Sequence, residues 1–253
     1  MGVLGLTWVG LAVVAGCLLV VSLDSPVGAG RAEESLSDRA GYLRRWSALH
    51  GGHDPSGSPL TVWWLDLVRL LATPLAARGV RPGAVTGWGV WAATAVAVAC
   101  AGHGHWALLG VLAVVVSGVA DNLDGAVAVL SGRVSRFGYV LDSLADRCAD
   151  TAYVLALFLL GAPGWLCVVG GGLAAVQEYT RARAGNAGMG QIGVVTVSER
   201  PTRVLVTAFT LLGAGLWPGT AGTVATLGAA AWTVLGLVGC TQVLVAVHAA
   251  LRD

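Results

Sequence analysis

Lysine is absent from this chain of 253 residues, and all fifteen basic side chains are arginine. Charge of either sign is scarce: Asp, Glu and Arg together make up 11% of the residues, against about a quarter in soluble domains. Hydrophobic residues reach 56%, with a mean hydropathy of +0.75, which excludes an ordinary soluble globule and points to an integral membrane protein. Cysteine is sparse as well. Cys17, Cys100, Cys148, Cys167 and Cys240 stand singly in apolar stretches, without a CxxC pair or Cys/His ligand spacing. A disulfide framework and a zinc site are thereby excluded, and the thiols read as small packing residues. The net charge of +1 and the confinement of arginine to a few connections also exclude a basic face for nucleic acid.

Long apolar runs are what the chain does have. A spanning helix needs about 20 mostly apolar residues, and seven stretches qualify or nearly do: 3–22, 84–101, 106–130, 138–161, 164–184, 202–217 and 221–250. Arginine marks alternate connections. It occurs before the second span (Arg31 to Arg81), after the third (Arg133, Arg136), around the end of the fifth (Arg181, Arg183, Arg200, Arg203) and at Arg252. The intervening turns hold none and have Trp106, Trp165 and Trp217 beside them, as in an aromatic belt. By the positive-inside rule the arginine-bearing face is cytoplasmic.

The expected organisation is an all-α polytopic membrane bundle with three parts. Residues 1–22, lacking a basic leader and a small-residue cleavage site, read as an N-terminal transmembrane anchor. Residues 23–59, rich in Gly, Ser and charge, read as a flexible cytoplasmic linker. Residues 60–253 form the membrane domain, a six-helix core preceded by an amphipathic helix. In that helix Leu60, Trp63, Trp64, Leu67, Val68 and Leu71 recur at helical spacing, which suggests a helix lying in the interface; a helix packed under the bundle is the alternative.

The chemistry concentrates at the junction of two spans. Asp121 and Asp124 are spaced i,i+3 and Asp142 and Asp146 i,i+4, so each pair projects from one face of its helix. The short connection from Leu130 to Phe137 makes the two helices antiparallel neighbours and gathers four carboxylates at one membrane face. Ionisable groups there are costly and point to function. Four like charges stay close and ionised only with cations among them. Oxygen-only ligands select Mg²⁺ or Mn²⁺, and four carboxylates suit two ions. Gly125 leaves room for a ligand against the helix, and Gly138 permits close helix packing. Asp150, continuing the i,i+4 row from Asp146, is expected to pair with Arg147 or make a buried hydrogen bond, with support of the acidic site as the alternative, and Glu178 to pair with Arg181 or face the cavity.

The pattern Asp121-x-x-Asp124-Gly125-x-x-Ala128, followed by Gly138-x-x-x-Asp142-x-x-x-Asp146, resembles the signature of the CDP-alcohol phosphotransferase family. The resemblance runs from about residue 60 to 251. Val80 to Thr86 resembles the family's entry into its first core helix, while Tyr179 to Ala184 and Glu199 to Arg203 resemble segments of its phosphatidylglycerol-phosphate and phosphoinositol-type synthases. It implies metal ligation by Asp121, Asp124, Asp142 and Asp146, with Asp146 also the base that takes the acceptor hydroxyl proton. Gly125, Ala128 and Ser135 fall at donor-binding positions. Where the family carries an arginine after the alanine this chain has Val129, so Arg133, one turn on, or Arg136 is the expected counter-charge for the donor diphosphate.

Arg181, Arg200 and Arg203, with Arg183 a weaker candidate, are the expected ligands of the acceptor's phosphate, because guanidinium forks match phosphate oxygens; the alternative is that these arginines mark the cytoplasmic side and meet anionic lipid heads. The activity that the resemblance implies is transfer of a phosphatidyl-type group from CDP-diacylglycerol, or a similar CDP-lipid, to a small alcohol with release of CMP in phospholipid biosynthesis; the arginines favour a phosphorylated acceptor. Two Mg²⁺ or Mn²⁺ ions, a multi-pass setting in the cell membrane with the site facing the cytoplasm, and a homodimer complete the expectation. The alternatives are a divergent non-catalytic member, a divalent-cation transporter and a metal-dependent prenyltransferase. The acids sit at one face without a second polar station, which disfavours a transport route, and they are adjacent in sequence, unlike the distant motifs of a prenyltransferase.

Overall fold

The computed structural model describes residues 38–49, 54–189 and 195–252, so the expected anchor over 1–22 and the linker up to residue 37 lie outside the described residues. Within them the chain is helical and holds no strand. The α-helices are α1 (Arg39–Leu49), α2 (Pro59–Ala77), α3 (Pro82–Ala101), α4 (Ala107–Leu130), α5 (Arg136–Leu159), α6 (Gly164–Asn186), α7 (Arg200–Leu216) and α8 (Ala221–Ala250). Helix is the element a lipid setting demands, because it satisfies each backbone N–H and C=O within its own segment. Pro59–Ala77, Pro82–Ala101, Gly104–Leu130 and Pro218–Ala250 are long and apolar enough to cross a membrane. The protein is membrane-embedded, and its helices present apolar side chains such as Val168 and Leu227 outward.

Local chemistry sets the helix ends. Pro59 opens α2, and the Ser58 hydroxyl accepts the Thr61 N–H at 3.3 Å. α4 stops where Gly132 takes φ +65°, the Gly132 N–H bonds Val129 O and the Arg133 N–H reaches back to Ala128 O at 2.9 Å. This left-handed cap favours glycine and ends the helix sharply. The Ser135 hydroxyl then accepts the Gly138 N–H at 2.9 Å and opens α5. A tight antiparallel pair results.

The described residues cluster into two compact units. The first takes in the described residues up to Trp91 together with Ser117–Asp146. Its core comprises Tyr42 of α1, Leu65, Val68 and Ala72 of α2, Val85 of α3, and Ala126, Val127, Val129 and Leu130 of α4. The second unit takes in Ala92–Val116 and Arg147–Asp253, with α8 packed on α6 and α7 around Tyr153, Leu157, Leu211 and Trp232.

Two features depart from the sequence expectation. The segment expected as a flexible linker contains α1, which docks because Tyr42 is only 1% exposed and the Arg39 guanidinium forks onto Asp66 of α2 with both N···O distances at 2.8 Å. In α2 the packed stripe is Leu65, Val68 and Ala72, whereas Leu60, Trp63 and Leu71 face outward. α2 is apolar on most sides, so periodicity alone does not tell its packed face from its lipid-facing one.

An alanine at 132 would be forced into the left-handed region, at a cost of about 1–2 kcal/mol. Gly132→Ala is therefore expected to lower the midpoint of thermal unfolding in detergent, with Gly132→Asn milder.

Candidate active site

The α4–α5 pair carries the acids. One carboxylate oxygen from each of Asp121, Asp142 and Asp146 lies within 4.8 Å of the others, and all three residues are half-buried. An all-oxygen trio at that spacing fits a hard divalent cation such as Mg²⁺ or Mn²⁺. Asp124 does not join the trio. It is 5% exposed, its Oδ2 accepts the Thr86 hydroxyl at 2.6 Å and its Oδ1 accepts the Gly125 N–H at 2.6 Å. Thr86 fastens this acid to α3, a role the sequence reading did not assign; its only signal was the terminal threonine of the α3 entry motif.

Around the acids, α3 and α4 approach closely. A Cβ on Gly89 would lie 3.4 Å from Ala120 Cβ, and the Ser117 hydroxyl donates to Gly89 O at 2.9 Å. The Trp64 indole of α2 donates to Asn122 Oδ1 at 3.2 Å, holding the residue between Asp121 and Asp124. This contact was not legible in sequence, since nothing in a lone Trp names its partner.

The expected donor-binding residues fall into two groups. Gly125 is exposed, and a Cβ there would meet nothing within 4 Å, so the backbone beside Asp124 is open to a ligand. Ala128 is half-buried on the same helix. Ser135 is engaged in capping α5, and a Cβ on Gly138 would meet only Ser135 Oγ, at 3.0 Å; the room at Gly138 thus serves the cap rather than a helix crossing. Val129 is buried in the core shared with Tyr42, Leu65 and Val68. Arg133, half-buried, donates from Nη1 to Gly79 O at 3.2 Å.

The second unit gathers the arginines. Arg181 donates to both carboxylate oxygens of Glu199, with Nη1 to Oε2 at 3.0 Å, and pairs with Glu178 at 3.5 Å. Glu199 also accepts the Thr196 N–H and hydroxyl, each at 2.7 Å. Gln177 donates to the Thr196 hydroxyl at 2.9 Å, and Gln242 accepts the Val197 N–H at 3.0 Å. The entry to α7 is thus stapled to α6 and α8. Arg203 is buried against Asp150 and Glu178, while Arg147 pairs with Asp150 at 3.2 Å, as its spacing predicted. Arg200 opens α7, and Arg183 is exposed on α6. Arg147 and Asp150 also form the polar end of a groove of about 550 Å³, walled by Val154, Leu155, Phe158 and Val168.

The CDP-alcohol phosphatidyltransferase family model matches residues 79–248, and the chain belongs to that family. It is 34% identical over 148 residues to the phosphatidylinositol phosphate synthase of Mycobacteroides abscessus, covering 54% of this chain and 64% of that relative. With the enzyme of the same name from Mycolicibacterium smegmatis it shares 36% over 165 residues, or 58% of this chain and 68% of the relative. An archaetidylinositol phosphate synthase of Pyrococcus horikoshii is 36% identical over 90 residues, covering 34% of this chain and 46% of that relative. The chain therefore spans less than two thirds of the first of these relatives. Among solved structures, phosphatidylinositol phosphate synthase of Mycobacterium tuberculosis with CDP-DAG bound aligns with TM-score 0.57 and 27% identity, covering 74% of this chain and 96% of that one. The same enzyme in complex with manganese and citrate aligns with TM-score 0.59 and 26% identity, covering 73% and 90%.

Glu199 lies outside the spanning segments. Burial pushes its carboxyl up, but hydrogen bonds from Arg181 and Thr196 and the charge of Arg181 outweigh that and hold it below 4.5. A lowered folded value means that the ionised pair stabilises the protein fully above the unfolded value and that this is lost as pH falls through the folded one. Glu199→Gln is expected to unfold earlier than wild type at pH 7, with the gap closing below about pH 4; thermal scans in detergent across that range measure it.

Proposed function

We propose that this protein transfers a phosphatidyl-type group from CDP-diacylglycerol, or a closely similar CDP-lipid, to a phosphorylated small alcohol and releases CMP. The observation that carries the reading is the convergence of Asp121, Asp142 and Asp146 in a chain of this family. The trio, with Asp124 beside it in sequence, would hold two Mg²⁺ or Mn²⁺ ions, which when bound neutralise charge on the donor's diphosphate and on the departing CMP. The open backbone at Gly125 and the small side chain of Ala128 accommodate the donor. Arg133 supplies the positive charge that Val129 does not.

Asp146 accepts the proton of the acceptor hydroxyl. The freed oxygen bonds to the phosphorus that bears the lipid, and the bond from that phosphorus to the bridging oxygen breaks, its electron pair leaving with CMP. Arg200 and Arg203 hold the acceptor's phosphate. Arg181, whose donors are directed at Glu199 and Glu178, keeps the entry to α7 in place. A site facing the cytoplasm is supported by the arginine-bearing connections, and a homodimer only by the family resemblance.

Purified protein incubated with CDP-diacylglycerol, Mn²⁺ or Mg²⁺ and either glycerol 3-phosphate or an inositol phosphate is expected to form CMP, whereas free glycerol and inositol are poor acceptors. No CMP from any of the four would defeat the reading. Asp146→Asn is expected to reduce turnover by about 10²–10⁴ through loss of the base, and Asp142→Asn to raise the Mn²⁺ concentration needed for half-maximal rate. CMP release against metal concentration reads both.

A further inference from the structure

An aspartate set among arginines works against anion binding, so its presence requires a reason. Asp150 of α5 is 5% exposed and four residues beyond Asp146. Its Oδ2 lies 3.2 Å from Arg147 Nη1 and its Oδ1 3.5 Å from Arg203 Nε. Arg147 also donates to Ala174 O of α6 at 3.2 Å, so the carboxylate ties guanidinium groups from α5 and α7 to one point. Arg203 is 3% exposed, and its other ion pair, from Nη2 to Glu178, spans 4.0 Å. Its Nε and Nη1 are buried without a hydrogen-bond partner among the described residues, so the Nε approach to Asp150 is an ion pair rather than a hydrogen bond.

Burying a guanidinium is costly unless its donors are filled. The charges that act on Arg203 come from Asp150, Glu178, Arg147 and Arg200. Buried N–H groups of Arg203 are left unfilled, which is what a phosphate oxygen satisfies. The long flexible side chain of an arginine aims such an edge only if something else fixes its plane.

We infer that Asp150 is a positioning residue: it fixes the guanidinium planes of Arg147 and Arg203 so that the Nη1 edge of Arg203 meets the phosphate of the acceptor. This rests on the phosphorylated-acceptor reading above. Charge alone and positioning predict opposite signs. If Asp150 acted only through its charge, neutralising it would remove a repulsion and tighten binding of an anion. If it positions Arg203, neutralising it loosens binding despite the more positive site.

The test uses the full-length protein with CDP-diacylglycerol and Mn²⁺, glycerol 3-phosphate or an inositol phosphate as acceptor, and inorganic phosphate as competing anion. Asp150→Asn is expected to raise the acceptor KM and the inhibition constant of inorganic phosphate about tenfold, the loss of one well-placed charged hydrogen bond. Donor KM and the Mn²⁺ requirement stay at wild-type values. Asp150→Glu, which keeps the charge but lengthens the arm, is expected to raise the acceptor KM severalfold and supplies the same comparison if the Asn variant does not survive extraction. In an Arg203→Lys background Asp150→Asn adds nothing further.

An unchanged or lowered acceptor KM in either variant overturns the inference. So does an equal shift in donor KM and metal requirement, which marks a merely structural role, or full additivity with Arg203→Lys. Failure of the acceptor reading looks different, because the wild type itself would then ignore inorganic phosphate and use free alcohols as readily as phosphorylated ones.

Discussion

Repulsion among Asp121, Asp142 and Asp146 is the constraint around which the first unit is built. At 4.8 Å two unit charges repel by about 3 kcal/mol at an effective dielectric near 20. A marginally stable fold has to offset that cost, and a hard cation is the partner that the proposed function supplies. The backbone around them restrains their helices. Gly132 and the Ser135 cap set the α4–α5 turn, the Gly89–Ser117 contact presses α3 against α4, and Thr86 draws Asp124 aside. Pre-arranged acids of this kind lose little order when a hard ion binds, which is how a rigid scaffold turns a destabilising cluster into an affinity.

The second unit solves the converse problem. Arginine, always charged, lies in and beside a hydrophobic core and is balanced by Asp150, Glu178 and Glu199. The Arg181–Glu199 pair is fully elaborated: Thr196 and Gln177 complete a network in which one carboxylate collects donors from backbone, hydroxyl and guanidinium. Arg203 is less completely satisfied. That difference is why the proposed function gives Arg181 to the fold and Arg203 to an anionic ligand.

Residue 129 shows how packing limits where a cation can sit. Val129 belongs to an apolar core that includes Tyr42 of α1, a helix lying before the span matched by the family. A guanidinium buried there would displace several close-packed side chains, so the surface turn that carries Arg133 is the cheaper place for a cation. Exposed positions accept such a charge at little cost, whereas cores do not.

The helices between Pro82 and Ala250 were legible because long apolar runs leave few alternatives, and their observed ends lie within two residues of those expected, though of these only Pro82–Ala101, Gly104–Leu130 and Pro218–Ala250 are long and apolar enough to cross a membrane. The convergence of Asp121, Asp142 and Asp146 was legible too, since i,i+4 spacing and a short turn force Asp142 and Asp146 toward α4. What composition and spacing determined, then, was a membrane-embedded helical bundle with an acidic centre, because period and length are local properties of the chain. Tertiary structure alone decided the rest. It turned Asp124 onto Thr86, sent Arg181 to Glu199 and Arg203 to Asp150, docked α1 through Arg39 and Tyr42, and chose Leu65 rather than Trp63 for burial on α2. Each of those choices depends on which neighbour a side chain meets across a helix contact, and a residue's own spacing carries no record of the partner facing it.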